Sequence, residues 1–278
     1  MADTPEDWMT AADYRPPTDL RPDIPHPARV YDWLLGGKDN FAADREAGQK
    51  ILELGVEARA AARANRAALQ RGVRMLARAG IDQFLDIGTG IPSAGNTHQV
   101  VQEVDPDARV VYVDNDPIVL AHARALMSGA GHGATAVLQA DLREPKRILA
   151  SDEVRRLLDL DRPVALLLAA VLHFVPDSAE PYDVVATLMD ALPRGSHLLL
   201  THATNGVKDK DAEEGVTQAY SAASAGLHIR SPQEIARFFT GLELLEPGLV
   251  WAPLWRPDTP PPVGSDQLGI LAGVAVKR

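Results

Sequence analysis

From residue 81 onward the chain alternates short apolar runs with helix-patterned stretches, and this rhythm restricts the fold more than any other feature. Apolar runs of strand length fall at 83–87, 109–113, 136–139, 164–170 and 196–201. Helical patterns fall between them, at 93–104, 116–128, 151–158 and 179–192. Strands separated by helices of this length specify a parallel, doubly wound α/β sheet, because each crossover must return over one face of the sheet. The 164–170 run is apolar throughout, as a central strand covered on both faces has to be. Helices at about 210–224 and 232–239 follow, the second opened by the capping box Ser231-Pro232-Gln233-Glu234. Two last strands, at about 242–251 and 268–276, have no helix between them. They predict an antiparallel C-terminal hairpin at the edge of a mostly parallel, seven-stranded sheet.

The part before residue 81 has another character. Residues 1–25 are expected to be extended or disordered, since Pro5, Pro16, Pro17, Pro22 and Pro25 forbid a helix of any length. Residues 28–54 predict helix, a glycine-bearing break at 35–40, and helix again. Residues 57–79 predict a strong helix with an apolar stripe of Ala62, Leu69, Val73 and Leu76 and a stop at Gly80. That helix carries Arg59, Arg63, Arg66, Arg71, Arg74 and Arg78, which are expected to form a solvated face, with a phosphate- or RNA-facing stripe as the alternative. The predicted organisation is an extended 1–25, a helical cap or lid at 26–80, and a ligand-binding domain at 81–278.

Composition closes several routes. There is no cysteine, so disulfides, thiolate–zinc sites and cysteine nucleophiles are excluded. Net charge is −10, from 28 basic and 38 acidic residues, which argues against binding a nucleic-acid backbone. No apolar run approaches the roughly 20 residues that cross a bilayer, and the first residues carry no signal-peptide pattern. A cytoplasmic protein without a membrane partner is the expectation. No His, Asp and Glu set has metal-ligand spacing, so no metal is expected.

In a doubly wound sheet, ligands bind just beyond the carboxyl ends of the strands. After the first strand stand Asp86-Ile87-Gly88-Thr89-Gly90-Ile91-Pro92. Gly88 and Gly90 suit a tight turn and close backbone approach, and Thr89 lies between them. A carboxylate at Asp86 would repel a pyrophosphate but suits an ammonium group, pointing away from NAD and towards S-adenosylmethionine. After the second strand, Asp114 and Asn115 lie at the position of a ribose-binding acid, Asp114 being 24 residues past Gly90. Vicinal hydroxyls are two donors and a carboxylate has two acceptor oxygens. Asp116 is more simply the cap of the next helix. After the third strand, Asp141 and Leu142 are placed to meet an adenine amino group and ring. After the fourth, Ala170 leaves room for a ligand, and His173 is the most site-like histidine by position.

These residues, together with the block from His26 to Phe41, the run Val171-Leu172-His173-Phe174 and Trp255-Arg256-Pro257, make the chain resemble an actinobacterial family of S-adenosylmethionine-dependent methyltransferases long classified as a domain of unknown function. The resemblance covers nearly the whole chain after residue 22. It implies the class I methyltransferase fold, S-adenosylmethionine as cofactor, and in-line methyl transfer to a substrate nucleophile. One departure is Pro92, at the position where the general pattern often has a third glycine. A base is needed only for a protonated nucleophile, and His173, then Tyr31 and His202, are the candidates. Tyr31, Gly37 and Asn40 are expected to fold back over the cofactor as part of a lid. A small-molecule substrate is preferred. The alternatives are a non-catalytic S-adenosylmethionine-binding module, an RNA methyltransferase and an NAD-dependent oxidoreductase. Oligomeric state is not set by the sequence.

Overall fold

The computed structural model describes residues 21–54, 57–127, 134–204, 210–221, 223–261, 264 and 268–278. The expectation for residues 1–25 therefore lies almost wholly outside the described residues, as does the predicted end of the 116–128 helix.

Three helices come first: α1 (Pro27–Leu35), α2 (Ala42–Glu53) and α3 (Ala58–Arg78). The alternating part follows as β1 (Gln83–Ile87), α4 (Thr97–Gln102), β2 (Arg109–Asp114), α5 (Pro117–Met127), β3 (Thr135–Gln139), α6 (Pro145–Ala150), α7 (Asp152–Leu157), β4 (Ala165–Ala169), α8 (Pro181–Asp190) and β5 (His197–Ala203). The chain ends with α9 (Lys210–Ala219), α10 (Pro232–Ala236), β6 (Glu243–Leu244), β7 (Val250–Trp251) and β8 (Ile270–Val276).

The strands form one sheet in the order β3-β2-β1-β4-β5-β8-β6, with β7 also paired to β8. β1 to β5 are parallel and β8 runs antiparallel to β5, with Leu199 opposite Val274. The order reverses between β1 and β4, which places the crevice of a doubly wound sheet beside the loop after β1. Alternate residues of each strand feed two cores. Leu85, Val111, Leu166 and Leu198 face one side, where Ile148, Val154 and Leu188 of α6, α7 and α8 cover them. Phe84, Val110, Leu167 and Leu199 face the other, against Leu69, Val73 and Leu76 of α3 and buried Trp255. A third cluster joins Val30 and Leu34 of α1, Ile51 of α2, Ala62, Tyr220 and Leu227.

Local chemistry sets several boundaries as expected. Ser231 accepts the Glu234 N–H while Glu234 accepts the Ser231 N–H at 2.8 Å, closing the capping box of α10. Asp116 caps α5 by accepting the Ile118 N–H at 2.9 Å, and Ser151 caps α7.

Other boundaries differ. The predicted 242–251 strand is broken into β6 and β7, because Pro247 has no N–H for the ladder and Gly248 sits at φ +89°. The antiparallel C-terminal hairpin lies at the sheet edge as expected, with β6 outermost and β8 between β5 and β6, where Ile270 to Val276 are all buried. The 93–104 helix shortens to α4 because Asn96, not Ser93, is its cap, with Gln99 completing a capping box. The 26–80 stretch also divides. α3 both covers one face of the sheet, through Leu69, Val73 and Leu76, and with Ala62, Asn65 and Arg66 lines the cavity at the carboxyl edge beside α1. Its arginines are not a purely solvated face. Arg71 donates to the carbonyls of Trp255 and Ala252 at 2.9 and 2.8 Å, Arg66 donates to Asn96 Oδ1 at 3.0 Å, and Arg59 lies over the Trp33 ring.

Candidate functional site

A cavity of about 1140 Å³ opens at the carboxyl ends of the parallel strands, roofed by α1, α3 and the segment after α9. Asp86, Gly88, Thr89, Gly90, Asp114, Asn115, Asp141, Leu142, Ala170, His173 and Tyr31 all line it. Gly37 and Asn40 do not.

The loop after β1 is shaped by its two glycines, which act differently. Gly88 has φ +76°, and a Cβ there would lie 2.3 Å from Val171 Cγ2. Gly90 has φ +67°, but the nearest atom to its added Cβ would be Ala28 Cβ at 4.0 Å, so Gly90 borders open space. Thr89 Oγ1 donates to the Asp86 carbonyl at 3.1 Å and braces the turn. The Asp86 carboxylate accepts from Thr97 Oγ1 at 2.6 Å. Burial pushes its pKa up to about 6, against the pull of that hydrogen bond and of the Arg66 charge.

Asp114 is held from both sides. One oxygen accepts the Gly90 N–H and the other the Asp116 N–H, each at 2.9 Å. Each carboxylate oxygen has two lone pairs, so one on each remains for a ligand. Burial, aided by the Asp116 charge, raises this carboxyl to about 6 as well, opposed by the backbone N–H groups of Asp116, Gly90 and Asn115. Asp141 is more exposed and is gripped by its own neighbour, with Arg143 Nε at 2.9 and 3.1 Å from the two oxygens. The hydrogen bond from Arg143 keeps its carboxyl below the usual range. Leu142 beside it is buried and supplies an apolar wall. Ala170 is one of the few non-glycine residues at positive φ, +54°, and its N–H donates to Thr201 Oγ1 at 2.9 Å.

The three candidate bases are all committed elsewhere. Burial, first, then the charges of His202 and Arg230 keep His173 neutral. Its Nδ1 accepts the Ala203 N–H at 3.2 Å, which leaves the ring proton on Nε2 as a donor. His202 is absent from the cavity wall; its Nδ1 donates to the Ala203 carbonyl at 2.6 Å and its Nε2 accepts from Arg230 at 3.0 Å. Burial lowers it to about 4. The Tyr31 hydroxyl donates to the Ala62 carbonyl at 2.9 Å and accepts from Asn65 Nδ2 at 2.7 Å. Asn65 Oδ1 in turn accepts from Thr201 Oγ1 at 2.5 Å. Burial raises the Tyr31 phenol further above neutrality. Both histidines have their ring lone pair occupied, and the Tyr31 hydroxyl has its proton committed to the Ala62 carbonyl.

The 26–41 block is organised around two carboxylates. Asp32 accepts from the Asp39 N–H at 3.0 Å and from Asn40 Nδ2 at 2.8 Å, and a Cβ on Gly37 would overlap the Asp32 carboxylate. Gly37 and Asn40 therefore shape the α1–α2 turn, away from the cavity. Asp44 accepts the His26 N–H at 2.9 Å and lies 3.4 Å from Arg29 Nε. His26 Nδ1 and Arg29 Nε also stand 3.2 and 3.8 Å from Asp116 Oδ2. This buried cluster fastens the cap to the loop after β2, next to Asp114.

Several cavity residues have no motif in the sequence. Asn65 is the polar member of an otherwise apolar buried stripe on α3, and that interruption is the signal that marks it. Arg66, on the same helix, enters the cavity and acts on Asp86. Phe174, Tyr220, Leu227 and His228 come together only through the fold. Among the described residues no group of three or more His, Asp or Glu could hold a metal ion, and no helix is long and apolar enough to cross a membrane.

Comparison with known proteins gives a consistent result. The profile of one family, described as S-adenosyl methyltransferase, matches residues 14–278. A solved protein of the DUF574 family from Streptomyces avermitilis is 40% identical, with TM-score 0.89, covering 93% of this chain and 100% of that one. A protein assigned as a methyltransferase, from Thermobifida fusca, is 42% identical with TM-score 0.86, covering 95% and 98%. A magnesium protoporphyrin IX methyltransferase from Synechocystis, solved with bound S-adenosylhomocysteine, shares the fold at 13% identity and TM-score 0.52, over 90% of this chain and 93% of that one. No curated protein matches the sequence.

Proposed function

Because this chain belongs to the S-adenosyl methyltransferase family, we propose that it transfers the methyl group of bound S-adenosylmethionine to a small-molecule acceptor. The observation that carries this reading is that Asp86, Gly90 and Asp114 converge on one cavity from the ends of β1 and β2. The donor set fits the cofactor: a buried carboxylate for an ammonium group, a second with two spare lone pairs for vicinal hydroxyls, and an apolar wall for a base.

When bound, the cofactor supplies a methyl group on a positively charged sulfur, already activated towards a nucleophile. The chain's own part is to bind, orient and exclude water. Asp86 accepts from the ammonium, with Thr97 fixing its rotamer. Asp114 accepts from the ribose hydroxyls while its bonds to Gly90 and Asp116 hold the two loops in register. Asn115, Asp141 and Leu142 border the base, and Gly88, Thr89 and Gly90 let the backbone pass close. Ala170 leaves space beside the reacting centre, and His173 offers it an Nε2–H donor. Tyr31, tied through Asn65 and Thr201 to the Ala170 N–H, positions the cap over that centre. Gly37 and Asn40 support the cap from outside.

Calorimetric titration with S-adenosylmethionine, S-adenosylhomocysteine and NAD tests the cofactor assignment: both sulfur ligands bind and NAD does not. Methyl-labelled S-adenosylmethionine incubated with a small-molecule extract tests turnover. Label in an extractable product is the expected result. Tight cofactor binding with label retained on the cofactor, whatever extract is supplied, would establish the binding-only alternative instead.

A further inference from the structure

The cavity is larger than a single small-ligand pocket, which spans about 300–1,000 Å³, and its two ends differ in chemistry. The end at β1 and β2 carries the carboxylates described above. The other is walled by Leu34, Ile51, Phe174, Val216, Leu227 and Ile229, all members of the third apolar cluster or packed against it. None of these six is charged. Five of them come from α1, α2, α9 and the segment after α9, and Phe174 comes from the turn after β4.

Beside these six, the half-buried His228 and the exposed Glu57 also line the cavity, and one buried polar side chain there, Tyr220, is left unused by the fold. Tyr220 is 8% exposed and lines the cavity. Its ring meets Phe174 at 5.3 Å between centroids. Its hydroxyl has no hydrogen-bond partner among the described residues, unlike the Tyr31 hydroxyl, which has two. A buried phenol hydroxyl normally finds a partner, so an unused one facing a cavity marks where a ligand's polar group belongs.

We propose that this end binds the methyl acceptor, and that the acceptor is an uncharged, aromatic small molecule carrying a hydroxyl group that hydrogen-bonds to Tyr220. The inference rests on the methyltransferase reading and adds the class of acceptor to it. Aromatic rings are favoured because Phe174 and Tyr220 present ring faces and edges, which pair with a third ring beyond the area they bury. A charged acceptor is disfavoured because the six apolar side chains offer it no partner, while Glu57 is exposed to solvent and His228 only half-buried.

The test uses the full chain saturated with S-adenosylhomocysteine, titrated with 2-naphthol and with 2-methylnaphthalene, which has nearly the same shape but no hydroxyl. 2-Naphthol should bind about tenfold more tightly, the scale of one buried hydrogen bond. Tyr220→Phe keeps the ring against Phe174 and should abolish that preference, while leaving the affinities for 2-methylnaphthalene and S-adenosylhomocysteine unchanged. Leu227→Asp, which puts a charge into the wall, should weaken both aromatic probes. If S-adenosylhomocysteine binds and 2-naphthol does not, or if Tyr220→Phe keeps the preference for 2-naphthol, the acceptor assignment is wrong and the methyltransferase reading stands. If S-adenosylhomocysteine itself fails to bind, both fall.

Discussion

Replacing Asp114 by asparagine should separate cofactor binding from folding, because the two effects of the change on stability nearly cancel. Burial lifts this carboxyl to about 6, roughly two units above its ordinary value. Keeping it ionised near neutral pH therefore costs the folded state about 3 kcal/mol, at 1.36 kcal/mol per unit. The neutral amide removes that cost. It also has only one acceptor oxygen, so either the Gly90 or the Asp116 N–H meets an amide NH₂ instead, at about 1–3 kcal/mol for a buried donor left unpaired. The sum lies near zero. A ligand gains nothing from this compensation. The ribose hydroxyls lose a charged acceptor, and hydrogen bonds to charged groups contribute about 1.5–3 kcal/mol, or roughly 10- to 150-fold in affinity. Calorimetric titration with S-adenosylhomocysteine, alongside a thermal melt of the same samples, reads both quantities. An unchanged affinity, or a large fall in melting temperature with affinity preserved, would refute the assignment of Asp114 to the ribose.

Three further outcomes follow from the same geometry. Asp86 and Asp114 both titrate at about 6, above their ordinary range, so the free folded chain takes up protons as pH falls through that value. S-Adenosylhomocysteine affinity should therefore drop below pH about 6, up to about tenfold per pH unit for each proton, while these two groups' contribution to folding stability rises as pH falls from about 6 to about 4; an affinity that stays flat across this window contradicts the ionised pair. Gly80 and Gly90 both have positive φ, but a Cβ on Gly80 meets nothing within 4 Å and Gly90 borders the cavity. Alanine at either position should cost about 1–2 kcal/mol of stability, yet only Gly90→Ala should weaken cofactor binding, and equal binding losses in the two would remove Gly90 from the site. Asn40→Ala removes a bond to the Asp32 carboxylate and should lower stability by about 1 kcal/mol without altering cofactor affinity; the reverse pattern would return Asn40 to the binding surface.

The sheet was legible because its signals are local. β4 is apolar along its length, and in the order β3-β2-β1-β4-β5 each strand takes its place by a short crossover of fixed hand. The acid and glycine positions after β1, β2 and β3 were legible for a related reason: strand ends are where a doubly wound sheet presents its loops, so place in the sequence already implies place in space. The cap was not legible in this way. Gly37 and Asn40 sit in the same conspicuous block as Tyr31, but whether a side chain in a helical turn points to the cavity or to Asp32 depends on how α1 and α2 dock. The surroundings of the histidines were not legible for a different reason. His173 and His202 look alike in sequence, and their hydrogen bonds to Ala203 and Arg230 come from partners about thirty residues away.

By itself the sequence determined the doubly wound sheet, the carboxyl-edge position of the cavity and the acids that line it, since each follows from periodicity and from the few residues next to a strand end. Only the tertiary structure decided which candidate side chains are already hydrogen-bonded, that β8 lies between β5 and β6, and that Phe174, Tyr220 and Leu227 meet on the wall of the cavity that the acids also line. Those are contacts between segments far apart in the chain, and side-chain direction and protonation there are set by packing and burial rather than by neighbours in sequence.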